Sequence, residues 1–403
     1  MNNRVVITGL GVVSSLGTGK EEFWKNLSEG KSGISKVTAF DTSTYKRHYA
    51  GEIKDFNPAK FIEKKRLKIL GRTSQLGIAA SKLALKDAGI SLAEIRNKEV
   101  ACIIGVTMPE GGELEFTSDR LLENKPEKIT AKFLLNDFPP ALCRNIGLFF
   151  KTKGVNLLIP CACAAGNYTI GYGYDLIKKG AVDFAIAGGA ESLARGPFHG
   201  FQKLYAMAPE VCAPFDKNRK GMLLGEGAGI LIMESYERAK KRQAYIYAEV
   251  LGYGLSCDAH HITIPKRDGI RKVMQKALKN AGVCEDDIDY ISAHGTGTTQ
   301  NDKEESAAIK EVFAKRYRDI PVSSIKSMLG HCMGAASAIE ALVCCLSIRD
   351  GIIPPTINFS TPDPECDIDC VPNVARRKEL RVVLNNSFAF GGNNCCVVFS
   401  KIK

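Results

Sequence analysis

One cysteine turn and two histidine turns carry the residue types that do chemistry in this sequence. The segment Val155-Asn-Leu-Leu-Ile-Pro160-Cys-Ala-Cys163-Ala-Ala-Gly166 reads as a buried strand whose end, a turn of small residues, opens a helix. A cysteine in such a turn sits at a helix N-terminus, where unpaired N–H groups and the helix dipole favour negative charge. The expectation is a lowered thiol pKa and a larger thiolate fraction. The same N–H groups suit the oxyanion that forms when a thioester is attacked. Spacing alone leaves Cys161 and Cys163 as alternatives, beside a purely structural cysteine at a crowded junction.

Two of the six histidines share a setting. His294 follows Tyr290-Ile-Ser-Ala293 and opens His294-Gly-Thr-Gly-Thr298. His331 lies in Lys326-Ser-Met-Leu-Gly-His331-Cys-Met-Gly334, just after Val322 to Ile325. A histidine at the carboxyl end of a strand, beside glycines, faces the crevice where α/β proteins hold ligands. Cysteine with histidine is a nucleophile arrangement, and a second histidine adds a hydrogen bond to a substrate carbonyl. Lys326 either fixes charge in that site or ends in a surface salt bridge. A fourth turn, Asn386-Ser-Phe388-Ala-Phe390-Gly-Gly-Asn-Asn394, reads as a mobile loop with an aromatic plug or as a plain hairpin.

The elements that must position these turns alternate. Strands are expected at 4–11, 99–106, 155–160 and 182–187, with helices at 74–88 and 165–178. A second run repeats the order: strands at 246–252, 288–293 and 321–325, helices at 269–281, 303–315 and 333–348, and a closing strand pair at 382–387 and 395–400. Alternating strands and helices argue for α/β layers, here a duplicated core whose halves meet near residue 250.

The totals exclude several classes. At 403 residues the chain exceeds one ordinary core, and 45% apolar with 25% charged residues is usual for a soluble protein. No apolar run reaches the roughly 18 residues of a membrane helix, and Met1 to Leu16 lacks the layout of a signal peptide. The expected compartment is the cytoplasm, with the fourteen cysteines reduced and no zinc site, since no CxxC pair has a matching second pair. The net charge of +11 favours acidic partners. No nucleic-acid motif accompanies it. The densest basic stretch runs from Lys60 through Lys64, Lys65, Arg66 and Lys68 to Arg72. It reads as a solvated helix face or as a landing patch for an acidic protein.

The four turns, with Val5-Val-Ile-Thr-Gly-Leu-Gly-Val-Val13, Pro214-Phe-Asp-Lys-Asn-Arg219 and Gly225-Glu-Gly-Ala-Gly229, appear in one order over nearly the whole chain. In that order they resemble the elongating β-ketoacyl-acyl-carrier-protein synthases of the thiolase superfamily. The resemblance implies a thiolase-like α/β fold of duplicated halves in five α-β-α-β-α layers. Residues 1–250 would hold the nucleophile cysteine and 251–403 both histidines. It selects Cys163 as nucleophile, with His294 and His331 completing a Cys-His-His triad and Lys326 and Glu340 in support. It puts the oxyanion hole at the N–H groups of Cys163 and Phe390, and an aromatic gate at Phe388 and Phe390. Thr263, Thr296 and Thr298 would hold the pantetheine arm, and Lys60, Lys64, Lys65, Arg66 and Lys68 would dock an acidic acyl carrier protein.

No metal or dissociable cofactor is implied, because the substrates ride on carrier-protein phosphopantetheine. The implied reaction is decarboxylative condensation of a Cys163-bound acyl group with malonyl carrier protein. A homodimer is implied, with the apolar strand at 182–187 as the segment that pairs across a two-fold axis. A heterodimer with a homologous chain-length subunit is the alternative assembly. The rival readings are an acyltransferase that stops at the acyl-enzyme and a non-catalytic chain-length partner.

This sequence departs from the family's pattern around substrate entry. Cys161 stands where threonine is common, Ala389 replaces a glycine, Asn393 a threonine and Ile264 a serine. Val106-Thr-Met-Pro109-Glu110 replaces a glycine-rich stretch. These changes point to an altered acyl preference, of the kind a polyene or aromatic polyketide pathway requires.

Overall fold

Ten successive buried residues, Val5–Ser14, form strand β1 at the centre of a computed structural model that describes residues 3–137 and 140–402. Met1 and Asn2, part of the stretch read as lacking a leader, lie outside the described residues. The first half adds β2 (Ala101–Gly105), β3 (Asn156–Ile159), β4 (Phe184–Glu191) and β5 (Gly227–Ser235), in the spatial order β3-β2-β4-β5-β1. The second half supplies β6 (Ala248–Cys257), β7 (Tyr290–Ser292), β8 (Val322–Ser323), β9 (Val382–Phe388) and β10 (Asn393–Ser400), in the order β8-β7-β9-β10-β6. The pattern of parallel and antiparallel neighbours is the same in both. The duplication expected from element order is therefore a duplication of topology. Residues Val5 to Ile7 pair with Ala248 to Val250 and join the two sheets. The expected division at residue 250 falls inside β6.

Four helices complete the layers. Helix α1 (Arg72–Asp87) covers β1 and β5, and α3 (Arg267–Ala281) covers β6 and β10. Between the sheets, α2 (Ala165–Lys178) packs against α4 (Ala336–Asp350). Ala336 to Ile348 are all buried, as a helix apolar on every side must be. A Cβ at Gly166 would lie 2.4 Å from the Ala338 nitrogen, so only glycine lets these helices approach. The order α1, sheet, α2 with α4, sheet, α3 is the five-layered thiolase-like arrangement.

Two expectations are corrected. The strand expected to be buried at 155–160 is an edge strand: Asn156 is exposed and Leu157 to Ile159 are half-buried. The segment at 182–187 does not offer a free edge, because β4 pairs with β2 on one side and β5 on the other, and it runs on through Gly188 and Gly189. In the first sheet the free edge belongs to β3. No helix among the described residues is long and apolar enough to cross a membrane.

Candidate active site

Four turns at the carboxyl ends of parallel strands converge where the two halves meet. After β3, Cys163 occupies a 3-10 turn, Ala162–Ala164, that runs directly into α2. Ala162 has φ 44°, a left-handed backbone that a residue with a Cβ seldom adopts. Met333 repeats it at φ 44° in the turn Met333–Ala335 ahead of α4. The duplication thus builds two matching elbows, one bearing Cys163 and the other following His331. His294 sits two residues beyond β7, and its N–H and that of Gly295 donate to Glu305 at 2.9 and 2.8 Å. Phe388 ends β9 and Phe390 lies in the turn of the β9–β10 hairpin. Ala389 there has φ −96°, an ordinary conformation, so the alanine imposes no strain.

The Cys163 sulfur and one ring nitrogen from each of His294 and His331 lie within 4.8 Å of one another, and all three residues are buried. The two imidazoles stand 5.4 Å apart at 80°, with the Phe388 ring 5.8 Å from His294. His331 Nδ1 accepts the Met333 N–H at 3.1 Å, which leaves the ring proton on Nε2. That Nε2 is buried with no partner among the described residues, as is His294 Nδ1. Burial first and the Lys326 charge second push both histidines well below their ordinary pKa, so both rings are neutral near pH 7. His331 presents a proton, not a lone pair, to the cluster. The trio therefore suits hydrogen-bond donation to an oxygen better than a metal ion, despite its ligand-like spacing.

Behind His294, the buried Lys326 ammonium donates to the His294 carbonyl at 2.6 Å and pairs with Glu340. Burial raises Glu340 to about 7 against the lysine's pull. Neither residue reaches the cavity wall. The expectation of a lowered cysteine pKa is corrected: burial pushes the Cys163 thiol up to about 11. The Lys326 charge and the N–H groups of Phe390 and Cys163 act in the opposite direction and are outweighed. Those two N–H groups are the ones expected to form the oxyanion hole. The Cys163 carbonyl is held by the hydroxyls of Ser387 at 3.0 Å and Ser337 at 3.2 Å.

A cavity of about 290 Å³ leads to the sulfur. Cys163, both histidines, Thr263, Thr296, Thr298, Phe388 and Phe390 all line it. The Thr296 and Thr298 hydroxyls are 2.9 Å apart, and Phe390 packs at 5.7 Å against Phe201. The basic stretch lies outside this wall. Lys60, Lys64, Lys65 and Lys68 are exposed and make no ion pair among the described residues, whereas the Arg66 guanidinium stacks 5.0 Å over Phe149. Sequence reasoning missed Glu305, Ser337 and Ser387. Only Ser387 carried a signal, its place in the Asn386 turn.

Comparisons with known proteins identify the family. The family Beta-ketoacyl synthase, N-terminal domain, matches residues 2–239, and Beta-ketoacyl synthase, C-terminal domain, matches residues 247–360. The chain is 38% identical over 410 residues to the 3-oxoacyl-[acyl-carrier-protein] synthase 2 of Staphylococcus aureus strain COL, covering 100% of this chain and 99% of that protein. Among solved structures it is similar to the ishigamide ketosynthase/chain length factor, with 44% identity, a TM-score of 0.97 and complete coverage of both chains. It is also similar, at 32% identity, a TM-score of 0.91 and complete coverage of both, to the AntDE:AntF complex of a type II polyketide synthase acyl-carrier protein with its ketosynthase bound to the hexaketide. With both family domains matched in order along the chain, this protein belongs to the beta-ketoacyl synthase family.

Proposed function

We propose that this chain joins an acyl group to a two-carbon unit by decarboxylative Claisen condensation, extending fatty-acid or polyketide chains carried on acyl carrier protein. The observation that carries it is one thiol and two neutral imidazoles converging at the end of a cavity, within 4.8 Å of one another. The Cys163 sulfur attacks the carrier-bound thioester. The Cys163 thiol proton passes through a neighbouring imidazole to the departing pantetheine thiolate, leaving acyl–Cys163. The N–H groups of Cys163 and Phe390 hold the oxyanion.

Malonyl carrier protein then enters, with Thr263, Thr296 and Thr298 against its pantetheine arm. Loss of carbon dioxide leaves an enolate whose oxygen accepts hydrogen bonds from His294 and His331. The enolate carbon attacks the acyl carbon, the carbon–sulfur bond breaks, Cys163 takes up one proton and a 3-oxoacyl thioester departs. Neutral donors suit this step, since the thioester is already activated and decarboxylation removes the need for a strong base. Lys326 and Glu340 hold the His294 turn from behind, and Phe388 and Phe390 gate the acyl side.

The exposed lysines at 60, 64, 65 and 68, with Arg66, form the landing surface for the acidic carrier protein. The free edge of β3 is the segment that pairs with a second subunit, identical or homologous. The substitutions at Cys161, Met108 and Ile264 favour a specialised acyl preference over general elongation of saturated chains. Incubation with malonyl carrier protein and a panel of acyl primers tests the reading. The expected result is acyl-dependent release of carbon dioxide with a 3-oxoacyl product. Acyl–Cys163 that goes only to hydrolysis would refute it.

A further inference from the structure

Glu191 ends β4 with no exposure to solvent, and among the described residues no basic side chain pairs with it. Its carboxylate accepts three backbone N–H groups instead: Met108 on Oε1 at 2.9 Å, and Thr107 and Gly334 on Oε2 at 2.6 and 3.0 Å. Thr107 and Met108 lie in the segment Val106 to Glu110 that replaces the family's glycine-rich stretch, and Gly334 lies three residues beyond His331. The two backbones touch there, since a Cβ on Gly334 would sit 2.5 Å from the Thr107 nitrogen. Burying a lone carboxylate costs several kcal/mol and persists only where its hydrogen bonds are needed.

We infer that Glu191 is a positioning residue for the condensation just proposed: it clamps the His331 turn to the Thr107–Met108 segment and sets the distance between the second histidine and Cys163. The inference rests on that reaction for its rate, and on geometry alone for the clamp. A carboxylate suits the position because both of its oxygens accept. A glutamine would turn its NH2 toward the Met108 N–H, or toward those of Thr107 and Gly334, whichever way it flips. Burial raises Glu191 to about 7, and its charge in turn raises the Cys163 thiol.

Glu191→Gln tests the clamp. Single-turnover condensation is expected to fall about tenfold, the worth of one charge-assisted hydrogen bond, with Cys163 acylation within about twofold of wild type. The split is the signature of a clamp, since a carboxylate that only stabilised the fold would leave the ratio of the two steps unchanged. An unchanged ratio of condensation to acylation overturns the inference. Absence of 3-oxoacyl product from wild-type protein would sink the reaction assignment and leave hydrogen exchange at the amides of 107–108 and 334 to decide the clamp. For a variant that does not fold, hydrogen exchange on the wild type decides. Amides of 107–108 and 334 share one protection if clamped, and protections differing by more than about tenfold overturn the inference.

Discussion

Adding one methyl group at Gly334 is the sharpest perturbation this architecture offers. A Cβ there would lie 2.5 Å from the Thr107 nitrogen and from two Val106 main-chain atoms, against a comfortable separation of about 3.5 Å. About 1 Å must be found, and no side chain can rotate to provide it. Val106 follows β2, a strand paired on both edges, so the irregular turn bearing His331 is the part that yields. Displacing a catalytic group by about 1 Å costs on the order of 10²-fold in rate, equivalent to about 2.7 kcal/mol of barrier.

Overpacking of this kind also lowers stability by about 1–3 kcal/mol. The assay separates two steps of Gly334→Ala: acylation of Cys163 by labelled acyl carrier protein, and carbon dioxide release on adding malonyl carrier protein. Acylation is expected to survive, because the Cys163 elbow is anchored by Ser337 and Ser387, while condensation falls about 10²-fold. Gly112→Ala is the control, since nothing lies within 4 Å of a Cβ there, and both steps should be unchanged. Wild-type condensation in Gly334→Ala, with the variant folded, would mean that the His331 turn does not move with residue 334.

Three further outcomes are expected. Cys163→Ala abolishes acyl loading, whereas His331→Ala spares loading more than condensation; radiolabel retained on protein, measured against product formed, checks both. With burial holding the thiol near 11, alkylation of Cys163 should still be rising above pH 9, and Lys326→Met should push the profile higher still by removing the charge that favours thiolate; a plateau below pH 8 contradicts this. Lys326→Met also strands Glu340, whose Oε2 already lacks a partner among the described residues, so urea denaturation should show a loss of about 3–5 kcal/mol, largely restored in the double variant Lys326→Met/Glu340→Leu.

Local physics wrote much of this protein into its sequence. The helix read at 165–178 is α2 to the residue, because apolar spacing and the turn at Gly180, φ 70°, depend only on nearby chain. The small-residue cysteine turn and the histidine-glycine turns at strand ends were legible for the same reason, as was the repeated order of elements. Properties that sum over distant neighbours were not. Strand β3 and strand β4 look alike as apolar runs, yet only pairing in the assembled sheet makes one an edge and the other an interior strand. The helix N-terminus argued for an acidic thiol at Cys163, and desolvation by surrounding layers reversed the sign. Glu191 gave no sign of its role, because its three partners come from residues 107, 108 and 334. Residue types and spacing along the chain thus determined which groups are present and what turn each one occupies. Tertiary packing decided their protonation, their free edges and the distances between them, since burial and register are set by parts of the chain that no local pattern contains.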